Sequence, residues 1–179
     1  MNIGFDLDKI FIDHPPFIPD WVIDRLYKKK ANGTLLYRIP GKLEQKIRIL
    51  SHAPLLRPLI KKNLHFVREF SRDKKNKIFL ISSRFNFLKG QTDALIQRYK
   101  FDDIFSHMYF NYKNQQPHQF KSTILSKEKI DVFIDDDLPL LKYLAKKHPA
   151  ITFYWFNSMQ HAKIAKNLIA ISHIEQLIK

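Results

Sequence analysis

The chain contains no cysteine, and only four of its 179 residues are glycine. The absence of cysteine excludes disulfide bonds and thiolate metal sites, and is typical of a reducing compartment. The four glycines form neither a phosphate-binding loop nor a dinucleotide fingerprint. The sequence also lacks an apolar run long enough to span a membrane. We therefore expect a cytoplasmic protein without a membrane span, built as one domain with an insertion.

Acidic residues are few: 17 Asp and Glu stand against 31 Lys and Arg, which gives a net charge of +14. The excess is concentrated in residues 14–75, which hold fifteen basic and five acidic side chains. Such a field attracts polyanions, including nucleotides and nucleic acid. The alternative is that these lysines and arginines are solvated surface groups, and the sequence leaves both interpretations open.

Short apolar runs rich in β-branched and aromatic residues alternate with segments of helical periodicity. We predict strands at 3–5, 78–81, 107–110, 132–134 and 151–156, and helices at 87–99, 121–126 and 138–147. Residues 160–177 show a similar helical spacing and are expected to cover the sheet edge. This alternation predicts the α/β class, with a Rossmann-like parallel sheet covered by helices on both faces and right-handed crossovers.

Roughly seventy residues separate the first two predicted strands, far more than a single crossover helix needs. Proline and glycine interrupt this segment, which predicts a small helical cap inserted at residues 14–71. Its last helix is expected at about residues 59–71, and residues 1–13 and 72–179 form the predicted core. The apolar positions at helical spacing are Trp21, Val22, Leu26, Leu43, Ile47, Leu50, Leu64, Val67 and Phe70.

Two groups of carboxylates follow two of the predicted strands. Asp6 and Asp8 come after the first strand, and Asp135, Asp136 and Asp137 follow the run at 132–134. The carboxyl ends of parallel strands meet at one sheet edge, where α/β proteins bind their ligands. Carboxylates gathered there require a cation, and oxygen ligands favour Mg²⁺. The alternative for either group alone is a solvated turn or a helix N-cap.

Two further segments reach the same edge. The strand at 78–81 ends in Ser82, Ser83 and Arg84, which place hydroxyls and backbone N–H groups where a phosphate oxygen could bind. Lys121, predicted to begin a helix, stands fourteen positions before Asp135 and could balance the carboxylates. The eight histidines are scattered singly without the spacing of a zinc site.

The order of these motifs resembles the haloacid dehalogenase-like (HAD) hydrolase superfamily, most of whose members are Mg²⁺-dependent phosphohydrolases. The resemblance covers nearly the whole chain, including a cap between the first and second motifs. The helical cap and the acidic doublet are most similar to the deoxyribonucleotidase-like branch and the nucleotidases near it. The resemblance implies a phosphatase for phosphoric monoesters, similar to 5′-nucleotidases, that acts on a phosphorylated small molecule.

The resemblance also implies roles for individual residues. Asp6 would attack phosphorus, and Asp8 would protonate the leaving oxygen and then activate water. Ser82, with Ser83 beside it, and Lys121 would bind the phosphoryl oxygens. The metal would be held by an Asp6 oxygen, the backbone carbonyl of Asp8 and the pair Asp135 and Asp136, with Asp136 favoured as the direct ligand.

The sequence departs from the superfamily at Lys9, directly after Asp8, where a glycine or another small residue is common. This departure weakens any substrate assignment taken from the resemblance. Two other functions stay open: a phosphatase acting on nucleic-acid ends, and a non-catalytic binding protein on the same fold. Aromatic side chains of the cap could stack on a base or form the cap's own core. They are Trp21, Tyr27 and Tyr37.

Overall fold

A seven-stranded sheet forms the centre of the protein in the computed structural model, which describes residues 1–14, 28–31, 34–156 and 162–178. The positions of Trp21, Val22, Leu26 and Tyr27 lie outside the described residues. The strands are β1 (Asn2–Phe5), β4 (Lys77–Ser82), β5 (His107–Phe110), β6 (Val132–Asp135), β7 (Thr152–Phe156), β8 (Ala162–Ala165) and β9 (Leu168–Ile171). Their order is β5-β4-β1-β6-β7-β9-β8, and only β8 is antiparallel to its neighbour. The predicted α/β class and the five predicted strands are confirmed.

Helices cover the sheet on both faces. They are α1 (Lys42–Ser51), α2 (Lys61–Phe70), α3 (Lys89–Tyr99), α4 (Pro117–Lys127) and α5 (Leu138–Lys147). The helix predicted at 121–126 is longer than expected, because Pro117 occupies its first turn, where a missing N–H costs nothing. Lys121 therefore lies one turn inside α4 rather than at its start. No helix among the described residues is long and apolar enough to cross a membrane.

The core is split by the sheet into two clusters of buried apolar side chains. On one face, Phe5 and Leu7 pack with Leu64 and Val67 of α2. On the other face, Phe133 packs with side chains of α4, α5 and β7. Each fully buried large apolar side chain contributes about 1.5–3 kcal/mol, so these clusters hold the strand ends in fixed positions.

Gly4 lies in the middle of β1, between β4 and β6. A Cβ atom at this position would lie 2.8 Å from the ring of Phe133 and 3.0 Å from Ile81. The bare backbone therefore allows the phenyl ring to pack directly against β1.

The insertion contains strands that the prediction of a helical cap did not include, while the helix expected at about residues 59–71 is α2. Its described part contains a hairpin of β2 (Lys28–Ala31) and β3 (Thr34–Tyr37), followed by α1. α1 confirms the periodicity of Leu43, Ile47 and Leu50, but these side chains face solvent and Arg48 is buried. An ion pair between Arg48 and Glu44 accompanies this inverted orientation. The division of the chain at residues 14 and 71 stays a prediction.

The predicted helix at 160–177 is wrong for the part of that segment that the structure describes. Residues 162–171 form the hairpin of β8 and β9, and a 3₁₀ turn follows at Ile174–Ile178. The side chain of Asn167, at the turn between the two strands, donates hydrogen bonds to three backbone carbonyls, including that of Ile151. The segment thus extends the sheet edge by pairing β9 with β7.

Candidate active site

A tight turn after β1 presents the first acidic pair. The backbone N–H of Phe11 donates to the carbonyl of Leu7, and that of Lys9 donates to Ile12. Lys9 adopts the left-handed conformation, with φ 60°, which glycine adopts without steric cost. A lysine at this position therefore carries the steric cost of a Cβ atom in the left-handed region, which glycine would avoid.

Asp6, Lys121 and Asp135 form a buried charged group at the centre of the sheet edge. Lys121 Nζ donates to Asp6 Oδ1 at 2.7 Å and to Asp135 Oδ2 at 2.6 Å. The second oxygen of Asp6 accepts from the N–H of Asp8, and that of Asp135 accepts from Asp137. All three side chains are at least nine-tenths buried. One ammonium therefore bridges the two carboxylate motifs, as predicted from the spacing of Lys121 and Asp135.

The protonation of this group follows from burial and crowding. Burial, together with the negative charges of Asp135 and Asp8, raises the pKa of Asp6 to about 7, although Lys121 opposes the shift. Burial and the carboxylates of Asp135 and Asp6 likewise raise the pKa of Asp136. Burial would lower the pKa of Lys121, but the two carboxylates it contacts outweigh this and raise it. The carboxylates thus carry more negative charge than their neighbours compensate.

The same carboxylates fit a divalent cation. One oxygen each from Asp6, Asp135 and Asp136 lies within 4.8 Å of the others. The donors are all oxygen, as Mg²⁺ prefers, and the raised pKa values of Asp6 and Asp136 indicate a place for additional positive charge. Trp155 Nε1 donates to the carbonyl of Asp136 and fixes the backbone there. Lys9 Nζ lies 3.7 Å from Asp136.

The carboxylate of Asp8 does not belong to this acidic group. Arg84 donates to both of its oxygens, from Nε to Oδ2 at 2.9 Å and from Nη2 to Oδ1 at 2.7 Å. Arg57 Nη1 lies 3.3 Å from Oδ1. Burial would raise the pKa of Asp8, but Arg84 and then Arg57 outweigh it and hold this pKa far below its usual range. Asp8 lies in the turn beyond β1, which ends at Phe5.

His52, at the end of α1, connects the insertion to Arg57. Arg57 Nη2 donates to His52 Nε2 at 2.6 Å, and His52 Nδ1 lies 2.8 Å from the carbonyl of Arg48. Nε2 must accept and Nδ1 must donate, so the ring is neutral. Burial and the nearby guanidinium groups of Arg57 and Arg84 lower the pKa of His52 well below its ordinary value.

Ser82 and Ser83 occupy the end of β4, as expected. Ser82 is buried, and the buried Oγ of Ser83 has no hydrogen-bond partner among the described residues. A buried hydroxyl without a partner loses the free energy of a hydrogen bond, which a bound acceptor would restore. Both serines line the same cavity as Asp6 and Lys121.

The remaining member of the acidic run, Asp137, has a structural role. It caps α5 by accepting from the N–H of Leu140, and it accepts from the hydroxyl of Tyr37 at 2.6 Å. The N-cap alternative therefore holds for Asp137. Tyr37 is buried and packs in the second apolar cluster, against the sheet, rather than in a core of the cap alone.

A cavity of about 170 Å³ joins these groups. The sheet edge lines one side of it with the carboxylates, Lys121 and the two serines, and the insertion contributes Arg38, Arg48, His52 and Arg57. No sequence pattern predicted a role for these insertion side chains or for the guanidinium of Arg84. The position of Arg84 directly after Ser83 could have indicated that it lies at the site. Arg57 stands in a segment without a recognisable motif, so it had no such indication.

Comparison with solved structures relates this arrangement to known proteins. A HAD-superfamily hydrolase from Ehrlichia chaffeensis is 12% identical, with a TM-score of 0.57, over 98% of this chain and 92% of its own. A haloacid dehalogenase-like family hydrolase from Streptococcus pneumoniae is 12% identical, with a TM-score of 0.56, over 99% and 96%. The chain has the HAD fold.

A third HAD-fold structure carries ligands. This HAD family enzyme from Bacteroides thetaiotaomicron, in complex with magnesium and inorganic phosphate, is 14% identical with a TM-score of 0.56. The alignment covers 89% of this chain and 95% of that enzyme. No protein-family model and no curated protein sequence matches the chain. The likeness is therefore one of HAD fold, and the nucleotidase-like branch implied by the sequence stays a prediction.

Proposed function

We propose that the protein is a Mg²⁺-dependent phosphohydrolase that cleaves phosphoric monoesters through an aspartyl-phosphate intermediate. The observation that carries this proposal is the contact of Lys121 with both Asp6 and Asp135 in a cavity that Ser82 and Ser83 also line. A nucleophile, a cation and hydroxyl donors are the parts that phosphoryl transfer requires. The HAD fold of the chain supports the same assignment.

In the proposed reaction, an oxygen of Asp6 attacks phosphorus and the bond to the leaving oxygen breaks. Asp8, which Arg84 and Arg57 keep ionised in the free protein, takes up the proton of the monoanionic phosphate ester and passes it to that oxygen. In the second step Asp8 accepts a proton from water, the water oxygen bonds to phosphorus, and the bond to Asp6 breaks to release phosphate. Lys121 and the serines neutralise the charge on the phosphoryl oxygens during both steps.

Asp6, Asp135 and Asp136, with the backbone carbonyl of Asp8, would hold Mg²⁺. When bound, the ion supplies positive charge to the phosphoryl group and reduces the repulsion between Asp6 and an anionic substrate. This assignment rests on the three clustered oxygens and on the raised pKa values of two of the carboxylates.

The proposed substrate is a phosphorylated small molecule such as a nucleotide, whose leaving group contacts the basic insertion. β2 contributes three consecutive lysines, Lys28, Lys29 and Lys30. Replacing all three by Gln is expected to raise KM for a nucleoside monophosphate while kcat for 4-nitrophenyl phosphate changes little. Equal effects on both substrates would remove the insertion from substrate recognition.

The decisive experiment compares Asp6→Asn with the wild type in a screen of phosphorylated metabolites with Mg²⁺. Asn keeps the shape of the side chain but removes the nucleophile, so turnover is expected to fall about a thousandfold or more. Asp102→Asn is a matched control, because Asp102 is exposed and distant in sequence from the proposed site. Retained activity in a folded Asp6→Asn protein would contradict the mechanism.

A further inference from the structure

We infer that Arg84 is a positioning residue that holds the Asp8 carboxylate away from the metal-binding carboxylates and on the leaving-group side of the cavity. The inference rests on the proposed function, because it concerns the residue proposed to exchange protons with the leaving group and with water. It adds Arg84, and Arg57 as its partner from the insertion, to the residues on which turnover depends.

The contact between Arg84 and Asp8 has the geometry of a specific pair. Two parallel hydrogen bonds, at 2.9 Å and 2.7 Å, join one edge of the guanidinium to both carboxylate oxygens. Such bidentate pairs fix the orientation of the carboxylate as well as its charge. Arg84 itself is 4% exposed and lies 3.4 Å from the hydroxyl of Thr92 in α3. The core therefore fixes the donor, and the donor fixes Asp8.

The Asp8 carboxylate needs a partner that fixes its orientation, because it lies in a partly exposed turn. It lies two residues after Asp6, in a turn beyond β1, and a quarter of its side chain is exposed. Among the described residues, the hydrogen bonds that reach the Asp8 carboxylate come from Arg84 and Arg57, while the backbone N–H of Asp8 donates to Asp6. Arg84 reaches it from the end of β4, the strand adjacent to β1, and separates its charge from that of Asp6 and Asp135.

Arg57 makes the second contact from the insertion. Its Nη1 lies 3.3 Å from Asp8 Oδ1, and His52 accepts from its Nη2. Asp8 is thus held by one arginine from the core and by another whose position depends on the end of α1. The position of the insertion is thereby coupled to the orientation of Asp8.

A double-mutant cycle tests the inference with a nucleoside monophosphate, whose alkoxide leaving group requires protonation. Asp8→Asn and Arg84→Gln alone are each expected to lower kcat by about 10²–10³, within the range of general acid–base catalysis, with KM changed less than about threefold. The double variant is expected to be no slower than Asp8→Asn alone, because Arg84 acts through Asp8. Arg84→Lys is expected to recover only part of the loss, since one ammonium cannot replace two parallel donors.

A second measurement separates positioning from phosphate binding. 4-Nitrophenolate leaves without a proton, so Arg84→Gln should still release a burst of one equivalent per enzyme before slow turnover. Arg68→Gln, an exposed arginine on α2, is the control that should change neither reading.

Three outcomes would overturn the inference: an unchanged kcat in a folded Arg84→Gln protein, losses that multiply in the double variant, or loss of the burst. Multiplied losses or a lost burst would mean that Arg84 acts on the phosphoryl group itself. Failure of the proposed function looks different, because the wild type would then release no phosphate or Asp6→Asn would retain turnover. If Arg84→Gln does not fold, Arg57→Gln on the Asp8→Asn background provides the same cycle from the insertion side.

Discussion

Lys121 and Asp6 are 115 positions apart in the sequence, and their side chains form a buried ion pair of 2.7 Å. The same ammonium contacts Asp135 on β6, so three elements of the core, β1, α4 and β6, meet at one charge. The Phe133 ring lies beneath it, 5.5 Å from Lys121 Nζ to the ring centre. The stability of this edge therefore depends on Lys121 independently of any catalytic role.

Lys121→Met should destabilise the protein by about 3–5 kcal/mol, because it leaves two buried carboxylates without their shared counter-ion. Urea unfolding at neutral pH measures the effect. Lys127→Met on the same helix is the control, since this lysine is exposed and exposed ion pairs contribute little. A loss no larger than that of Lys127→Met would contradict the role of Lys121 as counter-ion.

Mg²⁺ should raise the melting temperature of the wild-type protein, because it relieves repulsion among Asp6, Asp135 and Asp136 only in the folded state. A Mg²⁺ concentration one hundred times Kd stabilises the folded state by about 2.7 kcal/mol, which raises the melting temperature of a protein of this size by several degrees. Asp136→Ala should respond much less, whereas the exposed Asp103→Ala should respond like the wild type. An unchanged wild-type melting curve at saturating Mg²⁺ would refute the metal site.

His52 should make stability depend on pH. Burial lowers its pKa in the folded protein, while the unfolded chain titrates near 6.5, so below that pH the unfolded state binds a proton that the folded state does not. The contribution of His52 is therefore fully present above pH 6.5 and is lost as the pH falls, by up to about 1.4 kcal/mol per pH unit. Urea unfolding of the wild type and of His52→Gln from about pH 5 to pH 8, the range in which histidine ordinarily titrates, measures how their difference in stability depends on pH. A constant difference across this range would exclude a neutral, buried His52.

Lys9→Gly should stabilise the turn after β1. The left-handed conformation costs a residue with a Cβ about 1–2 kcal/mol, and glycine removes this cost. The greater entropy of glycine in the unfolded chain opposes part of the stabilisation, so the net gain in the free energy of unfolding is about 0.5–1 kcal/mol. The ion pair lost to Asp136 is partly exposed and long. Thermal unfolding of Lys9→Gly is compared with that of Lys113→Gly. Lys113 is exposed and lies outside the left-handed region, so glycine there should bring no gain in stability.

The strand ends could be predicted from the sequence because each apolar run is immediately followed by its polar residues. Asp6 directly follows β1 and Asp135 is the last residue of β6, and these two strands are neighbours in the sheet. Lys121 lies in α4, the helix that precedes β6. Local order and the parallel topology therefore bring these residues together without knowledge of packing.

The insertion and the last hairpin could not be predicted in the same way. The apolar side chains of α1 face solvent while Arg48 faces the cavity, so periodicity predicted the helix but not its orientation. In residues 162–171, a turn at Asn167 and pairing with β7 override a helical spacing. Arg57 reaches Asp8 from a proline-containing loop, a contact that depends on tertiary structure alone.

The missing side chain at Gly4 makes one position of the core behave like part of the active site. The Phe133 ring occupies the space that a methyl group would need, and Asp6 and Asp135 each follow these residues by two positions. Even an alanine would force β1 and β6 apart or turn the ring, and either movement would change the spacing of the carboxylates. The distance between two charges at the surface of the cavity is thus set by a contact between a backbone and an aromatic ring in the interior. A substitution of Gly4 would therefore lower turnover through a packing defect in the core, without changing any residue of the active site.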